Sequence, residues 1–318
     1  MEALDRLKPG HRVEVFPTRA SSAEELVDRL QGAQALINVR SYSRFDRETL
    51  SRLPELRLIS VLGTGTDNID LQAANDLGIL ICNVPGASTT AVAEMAIGLM
   101  LAVAKRLVLA DRDVRNRNWT AHVGLELEGK TLGVVGLGLI GQKLAHLARG
   151  LGMRVVGWSL TRDAERARAC GVQLVELEEL YRQADVISLH LRLSEQTAGM
   201  IGEREIGLMK PTAILINTAR GGLVDQDALV SALQTSRIFG AGLDVYPTEP
   251  LPHDSPLRQL ERVVLSPHLA WLTEEASERL RQQPVANILA WLEGQPINVC
   301  NPPAVAHPRQ AQPGGRQE

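Results

Sequence analysis

Aromatic side chains are scarce in this sequence, since only 3% of its 318 residues are Phe, Trp or Tyr. The hydrophobic core must therefore be built mainly from Leu, Val, Ile and Ala. The three cysteines, Cys82, Cys170 and Cys300, lie far apart and form no Cys-x-x-Cys pair. This spacing excludes a disulfide scaffold and favours small buried side chains in a reducing compartment. We expect no metal site.

Strong net charge and long apolar runs are also lacking. The 34 Lys and Arg residues nearly balance the 37 Asp and Glu residues, so no basic field is present to bind nucleic acid. The longest apolar run, 95–104, is too short to span a bilayer. The first six residues lack the apolar core of a signal peptide. We expect a cytoplasmic protein with no nucleic-acid or membrane partner.

What the sequence does contain is an alternation of β-branched apolar segments with helical patterns. Such alternation is typical of parallel sheets with crossover helices, and the length predicts two domains. A long helix is predicted from about Thr90 to about Asn118, and a second series of strands after it suits a doubly wound sheet. The predicted strands are 12–16, 35–39, 56–62, 79–84, 131–136, 154–158, 186–191, 213–217, 241–245 and 263–265.

A Gly-x-Gly-x-x-Gly loop follows the strand predicted at 131–136 and opens a helix. Gly136 permits the tight turn, Gly138 lets the backbone approach a pyrophosphate, and Gly141 lets helix and strand pack closely. The helix N-terminus offers N–H groups and a positive dipole end to an anion. A tight turn without a ligand is the alternative, but the strand–loop–helix context favours a dinucleotide and hence hydride chemistry.

A second glycine-containing turn, 62–67, ends another predicted strand. Its two glycines can direct successive N–H groups into a nest for an anion, and a carboxylate substrate would fit there. A sharp turn capped by Asp67 or Asn68 is the alternative.

Histidine, arginine and glutamate side chains at strand ends are candidates for catalysis. Hydride transfer to a ketone needs a proton donor, a carboxylate anchor and a group that tunes the donor. His190 and His268 both lie at strand ends, where open α/β sheets bind ligands. Arg220, beside two glycines, can present its planar fork to a carboxylate. Glu249, between prolines, would orient a histidine and raise its pKa. Singly each has a structural alternative, but together they favour a catalytic site.

These motifs resemble the D-isomer-specific 2-hydroxyacid dehydrogenase family, which includes glyoxylate/hydroxypyruvate reductases and phosphoglycerate dehydrogenases. The resemblance implies an NAD(P)-dependent enzyme that reduces a small 2-keto acid to a D-2-hydroxy acid. It covers roughly residues 30–300, and its motifs are 63–70, 83–86, the glycine loop, 217–221, 242–245, 249–250 and 266–268.

The resemblance also implies roles for individual residues. Arg220 binds the substrate carboxylate and carbonyl, His268 protonates the carbonyl oxygen, and Glu249 supports His268. The turn at Thr64 and Gly65 contacts the carboxylate. The implied cofactor-binding residues, of which Asp244 holds the nicotinamide carboxamide, are Gly136, Gly138, Leu139, Ile140, Gly141, His190, Thr218 and Asp244.

The domain organisation implied by the resemblance is discontinuous. A Rossmann dinucleotide-binding domain, 98–280, is inserted into a flavodoxin-like substrate domain made of 1–97 and 281–301. Both domains would be doubly wound parallel sheets, and the family implies a homodimer. We expect residues 302–318 to form a disordered tail, which leaves no room for a regulatory domain.

Cofactor choice depends on a departure from the family pattern. An acidic residue usually ends the second strand of an NAD site, about 20 residues past the glycine loop, but Ser159 stands there. Ser159 donates hydrogen bonds and Arg162 brings a positive charge, which slightly favours NADP over NAD. Two alternatives stay open: Arg162 merely starts a helix that Asp163 caps, or Asp163 restores NAD use by folding of the loop back towards the site.

Other departures and alternatives remain. Arg192 stands where the family usually has proline, and Ala270 and Trp271 stand where many members have Gly-Ser. A dinucleotide-sensing binding protein or co-repressor on the same fold is the rival function. Formate dehydrogenases differ because they use Gln at the position of Glu249. Three residues after the strand at 35–39 either contact the substrate side chain or belong to a surface loop, namely Arg40, Tyr42 and Arg44.

Overall fold

In the computed structural model, residues 2–39 and 43–309 are described, and they divide into two compact units. Unit 1 comprises the described parts of Met1–Ser88 and Thr273–Glu318, and unit 2 comprises Thr89–Leu272. Both boundaries precede the expected ones at 97/98 and 280/281. The first lies earlier because the helix that begins at Thr89 packs its buried face, from Ala93 to Ala104, in the core of unit 2.

The helices and strands alternate through most of the chain. The helices are α1 (Glu2–Asp5), α2 (Ala23–Arg29), α3 (Arg47–Ser51), α4 (Leu71–Asp76), α5 (Thr89–Ala104), α6 (Leu107–Arg115), α7 (Leu139–Gly150), α8 (Ala164–Ala169), α9 (Leu177–Gln183), α10 (Glu203–Leu208), α11 (Gln226–Gln234), α12 (Glu274–Leu292) and α13 (Pro303–Ala306). The strands are β1 (Ala35–Val39), β2 (Leu58–Leu62), β3 (Leu80–Cys82), β4 (Thr131–Val135), β5 (Arg154–Trp158), β6 (Gln173–Leu174), β7 (Val186–Leu189), β8 (Ile214–Asn217), β9 (Gly240–Leu243) and β10 (Val263–Leu265).

Unit 1 is built on a parallel sheet in the order β1-β2-β3. Successive side chains of a strand point to opposite faces, so a sheet covered on both sides has two cores. Ile59 and Val61 of β2 lie in one core cluster, whereas Leu58 lies in the other with Val285 and Ile288 of α12. The C-terminal helix α12 therefore completes the unit that the N-terminal part of the chain begins.

Unit 2 is built on a seven-stranded parallel sheet in the order β10-β9-β8-β7-β4-β5-β6. The chain leaves β4 in one direction towards β6 and returns at β7 to run in the other direction. Ligands of such doubly wound sheets bind at the carboxyl ends of the strands where the order reverses. That point lies between β4 and β7, where the His190 N–H donates to the Val135 carbonyl at 2.8 Å.

The strand predicted at 12–16 does not form, and the two-residue strand β6 was missed. A strand is stable only if neighbours pair with it and cover its apolar side chains. Val15 and Phe16 are instead 60% and 46% exposed. The guanidinium of Arg29 lies 5.2 Å from the centre of the Phe16 ring.

The single long helix predicted between 90 and 118 is two helices, α5 and α6. Between them Arg106 has a φ of +56°, a left-handed conformation that ends a right-handed helix. The Arg106 guanidinium lies 4.3 Å from the centre of the Phe239 ring. The sequence around this break contains neither Gly nor Pro. The break is accompanied by a tertiary contact, which the local sequence does not show.

The C-terminal part of the chain contains the helices α12 and α13. Helix α12 continues through Pro284, which has no N–H to donate. The burial of apolar side chains of α12 in the core offsets this one lost helix hydrogen bond. The expected disordered tail begins instead with α13, whose Ala304 is fully buried. The Asn301 side chain donates from Nδ2 to the Ile79 carbonyl at 2.9 Å and accepts at Oδ1 from the Ile81 N–H at 2.8 Å. Residues 310–318 lie outside the described part of the chain.

Candidate active site

The glycine loop forms a tight link between β4 and α7. Gly136 has a φ of +107°, and a Cβ atom there would lie 2.5 Å from the His190 carbonyl oxygen. A Cβ atom at Gly141 would lie 2.0 Å from the Gly136 carbonyl oxygen. A Cβ atom at Gly138, by contrast, would meet no other atom within 4 Å, and Gly138 is the N-cap of α7. Leu139 and Ile140 form the first turn of that helix, so its N–H groups face the opening that Gly138 leaves.

Two polar atoms that follow the neighbouring strands β7 and β8 are buried without a partner in the described residues, His190 Nδ1 and Thr218 Oγ1. The Nε2 atom of His190 contacts Ser188 Oγ at 2.8 Å. Burial lowers the pKa of His190 to about 4, so the imidazole is neutral at neutral pH. Buried polar groups in proteins are nearly always hydrogen-bonded. An open loop with orphaned polar atoms at the ends of the neighbouring strands β7 and β8 therefore fits a polar ligand such as a dinucleotide.

The residues after β5 make local contacts. Ser159 is buried, and its hydroxyl donates to the Thr161 carbonyl at 2.6 Å. Arg162 forms an ion pair with Glu176, and both side chains are more than half exposed. Asp163 caps α8, accepting from the Arg166 N–H at 2.9 Å. Asp163 is thus committed to a helix terminus, and Arg162 stays at the surface beside a carboxylate.

His268 and Glu249 form a direct pair, with Nδ1 and Oε2 2.6 Å apart. The other carboxylate oxygen of Glu249 accepts from the Tyr246 N–H at 3.0 Å. Burial by itself would raise the pKa of Glu249. The hydrogen bonds from His268 and Tyr246, together with the charge of Arg220, more than offset burial and hold this pKa below its ordinary value. A carboxylate only accepts, so Nδ1 of His268 donates and Nε2 is the atom left to exchange a proton.

The backbone of His268 is held in an uncommon conformation. Its φ is +52°, a region that residues other than glycine seldom occupy. The His268 N–H donates to the Asp244 carbonyl at 2.8 Å. The fully buried Asp244 carboxylate accepts from Ser266 Oγ at 2.5 Å and from the N–H groups of Leu269 at 3.0 Å and Ala270 at 2.8 Å. Asp244 therefore anchors the loop that carries His268, and its contact with a nicotinamide carboxamide stays a prediction.

Arg220 is positioned by its own loop after β8. Asn217 bridges the loop, since its Nδ2 donates to the Arg220 carbonyl at 2.9 Å. The Arg220 Nη1 donates to the Ala219 carbonyl at 2.8 Å. A Cβ atom at Gly221 would lie 1.9 Å from the backbone of Tyr246, so this loop touches the one that leads to Glu249. Because β8, β9 and β10 are neighbours in the sheet, Arg220, Glu249 and His268 share one edge of it.

The turn after β2, in unit 1, is held by the segment after β3. The Val84 N–H donates to the Gly63 carbonyl at 2.9 Å, and Asn83 Nδ2 donates to the Thr64 carbonyl at 2.8 Å. Thr64 Oγ1 donates to the Val84 carbonyl at 3.3 Å. The carbonyl groups of Gly63 and Thr64 are thereby both used, and the contact of this turn with a carboxylate stays a prediction.

The remaining substrate candidates lie near β1. Arg40 and Tyr42 lie outside the described residues. Arg44 is exposed and lies 3.9 Å from an Asp46 carboxylate oxygen.

Several residues that shape the site were missed in the sequence. Asn217, Tyr246 and Ser266 each bond a candidate residue or its loop. Asn217 and Ser266 lie within the motifs 217–221 and 266–268, and Tyr246 lies three residues past β9, but the sequence assigned no role to any of them. In the described part of the chain, no group of three or more His, Cys, Asp and Glu side chains is arranged to hold a metal, and no helix is long and apolar enough to cross a membrane.

The doubly wound sheet, the open glycine loop and the His–Glu pair at one edge define a dinucleotide-dependent oxidoreductase. The model of the D-isomer specific 2-hydroxyacid dehydrogenase NAD binding domain matches residues 97–270. A glyoxylate reductase of Thermococcus litoralis is 42% identical over 286 residues, covering 87% of this chain and 86% of the relative. The chain belongs to the D-isomer specific 2-hydroxyacid dehydrogenase family.

Solved structures agree with this assignment. A glyoxylate reductase from Paecilomyes thermophila superimposes with a TM-score of 0.86 at 32% identity, covering 94% of this chain and 93% of that one. An acyclic imino acid reductase in complex with NADPH and D-Arg gives a TM-score of 0.87 at 32% identity, covering 94% and 95%. The predicted family, α/β fold and enzyme class are confirmed: this is a nicotinamide-dinucleotide-dependent 2-hydroxyacid dehydrogenase that acts on a small molecule.

Proposed function

We propose that this enzyme reduces a small 2-keto acid of the glyoxylate and hydroxypyruvate class to the D-2-hydroxy acid, with His268, Glu249 and Arg220 as its catalytic groups. The observation that carries the proposal is the 2.6 Å contact between His268 Nδ1 and Glu249 Oε2 at the strand edge that also bears Arg220. The glyoxylate reductases among the relatives support the substrate class.

The reaction needs a hydride at the carbonyl carbon and a proton at the carbonyl oxygen. A bound nicotinamide in its reduced form supplies the hydride. His268 gives the proton from Nε2, while Glu249 holds Nδ1 and stabilises the protonated imidazole. Arg220 binds the carboxylate and polarises the carbonyl, and the turn at Thr64 and Gly65 contacts the carboxylate. The cofactor contacts are those of the glycine loop, His190, Thr218 and Asp244.

A substrate panel tests the proposal. With NAD(P)H, we expect glyoxylate and hydroxypyruvate to be reduced with kcat of about 1 s⁻¹ or more. Hydroxyacetone, which is hydroxypyruvate without the carboxylate, should be reduced far more slowly because Arg220 has no anion to bind. NAD(P)H oxidation at 340 nm gives the rates, and chiral chromatography of the glycerate formed gives the configuration. Rates equal to the buffer blank across the panel, or L-glycerate as product, would contradict the proposal.

For the cofactor, we propose that NADPH is accepted and slightly preferred. Ser159 leaves the end of β5 without the carboxylate that would repel a 2′-phosphate. The carboxylate of Asp163 caps helix α8 and therefore does not take the place of the missing acidic residue. Arg162 is the nearby cation, and its ion pair with Glu176 is exposed, so the pair is weak and can be exchanged for a phosphate.

Arg162→Ala should therefore lower kcat/KM for NADPH by about tenfold and leave the value for NADH within about twofold, the loss expected for one charge-assisted contact. Glu176→Gln should raise kcat/KM for NADPH, because it removes the carboxylate that pairs with Arg162. The matched control is Arg168→Ala, an exposed arginine on α8, which should change neither. The measurement is kcat/KM for both cofactors at one saturating keto acid. A wild-type ratio clearly in favour of NADH would refute the preference without touching the enzyme class.

The homodimer expected from the family also stays a proposal. Exposed apolar side chains on α6 and the segment after it support it, because patches of this kind mark association surfaces. They are Leu107, Val108, Val114, Trp119 and Val123. The cytoplasmic location stays a prediction from the sequence.

A further inference from the structure

A buried hydrogen-bond network in unit 1 centres on Asn287 of α12, which is 0% exposed. Its Nδ2 donates to Ser60 Oγ at 3.1 Å and to the Asn83 carbonyl at 2.9 Å. Its Oδ1 accepts from Asn298 Nδ2 at 2.9 Å. Ser60 Oγ in turn donates to the Pro284 carbonyl at 3.1 Å. Both amide protons and the amide oxygen of Asn287 are therefore satisfied.

The network continues from Asn83 into the turn after β2. Asn83 Nδ2 donates to the Thr64 carbonyl, and the Val84 N–H donates to the Gly63 carbonyl. In a planar trans peptide, the C=O of one residue and the N–H of the next point in opposite directions. The N–H groups of Thr64 and Gly65 must therefore point away from Asn83 and Val84. In the described residues neither of them donates a hydrogen bond.

We propose that Asn287 is a positioning residue for substrate binding: through Asn83 it aims the Thr64 and Gly65 N–H groups at the substrate carboxylate. The inference rests on the proposed function, which assigns the carboxylate to this turn. Burying an amide is costly unless it is fully bonded, and an apolar side chain would pack between α12 and β2 without that requirement. A satisfied polar network instead specifies one geometry, here that of the turn.

Two substitutions weaken the network to different extents. Asn287→Ala removes three hydrogen bonds, and Asn298→Gly removes one while its backbone φ of +56° suits glycine. We expect KM for the keto acid to rise about tenfold in Asn287→Ala and about threefold in Asn298→Gly, with kcat and KM for NAD(P)H within about twofold of wild type. Steady-state kinetics well below the Tm of each variant gives these values.

The matched control is Asn301→Ala. Asn301 is also a buried amide that ties the C-terminal part of unit 1 to the sheet, but it bonds only Ile79 and Ile81 and not the turn. Asn301→Ala should lower Tm about as much as Asn287→Ala does and leave KM for the keto acid unchanged. An equal rise of KM in this control would reduce the role of Asn287 to general stability and overturn the proposal.

Asn83→Ala separates this inference from the proposed function. If Asn83→Ala raises KM and Asn287→Ala does not, the turn binds the carboxylate but Asn287 does not position it. If Asn287→Ala fails to fold, an unchanged KM in Asn298→Gly overturns the proposal and a selective rise supports it. A wild-type enzyme that reduces no 2-keto acid would overturn both.

Discussion

Replacing His268 with glutamine is expected to lower kcat by on the order of 100-fold or more, the usual size of a general acid–base contribution. Glutamine can still donate a hydrogen bond to Glu249, but it has no proton to give to a developing alkoxide. Titration with NAD(P)H should give nearly the same Kd as wild type, because the glycine loop is separate from the His268 loop. Stopped-flow kinetics of a single turnover measures the loss in the chemical step itself.

The matched control for this experiment is His253→Gln. His253 is an exposed histidine in the same proline-containing segment as Glu249, so the substitution has the same chemistry without the contact to the carboxylate. Its kcat should stay near the wild-type value. A His268→Gln enzyme with near-normal kcat would remove His268 from the mechanism, and a weakened cofactor Kd would instead point to a structural defect of the loop.

Replacing Arg220 with alanine should affect both substrate binding and the chemical step. Truncating one partner of a desolvated charge pair costs about 2 to 5 kcal/mol, so kcat/KM for the keto acid should fall by about 30- to 4000-fold. KM should rise because the carboxylate loses its anchor, and kcat should fall because the carbonyl loses its polarising group. Arg220→Lys should recover only part of the activity, since a point charge lacks the planar fork.

Two comparisons make the Arg220 result specific. Arg204→Ala removes the same charge from a surface arginine paired with Glu178 and Glu205, and it should leave kcat/KM unchanged. Hydroxyacetone has no carboxylate, so its slow reduction should lose less from Arg220→Ala than the reduction of hydroxypyruvate does. If KM for the keto acid stayed unchanged in Arg220→Ala, the carboxylate would be anchored elsewhere.

The parts of the fold that could be predicted are those with local causes. A glycine loop between a strand and a helix is specified within a few residues, because a side chain at Gly141 would collide with its own turn and one at Gly136 would collide with the end of the adjacent strand. The prediction of a strand at 12–16 was wrong for the opposite reason. A strand needs partners from distant parts of the chain, and the pattern of a single segment does not reveal them. Helix α12 likewise continues through Pro284 because of packing that its own sequence does not show.

The sequence by itself determined the kind of chemistry, since residue types at strand ends set which groups can donate protons, bind anions or accept a dinucleotide. It placed Arg220, Glu249 and His268 at one edge because parallel strands bring their carboxyl ends together. Only the tertiary structure decided which atoms of Glu249 and His268 meet, that the Asp244 carboxylate anchors the His268 loop, and that Asn287 reaches Asn83 from 204 residues along the chain. Hydrogen bonds form only over about 3 Å, and that distance is set by how the helices and strands pack.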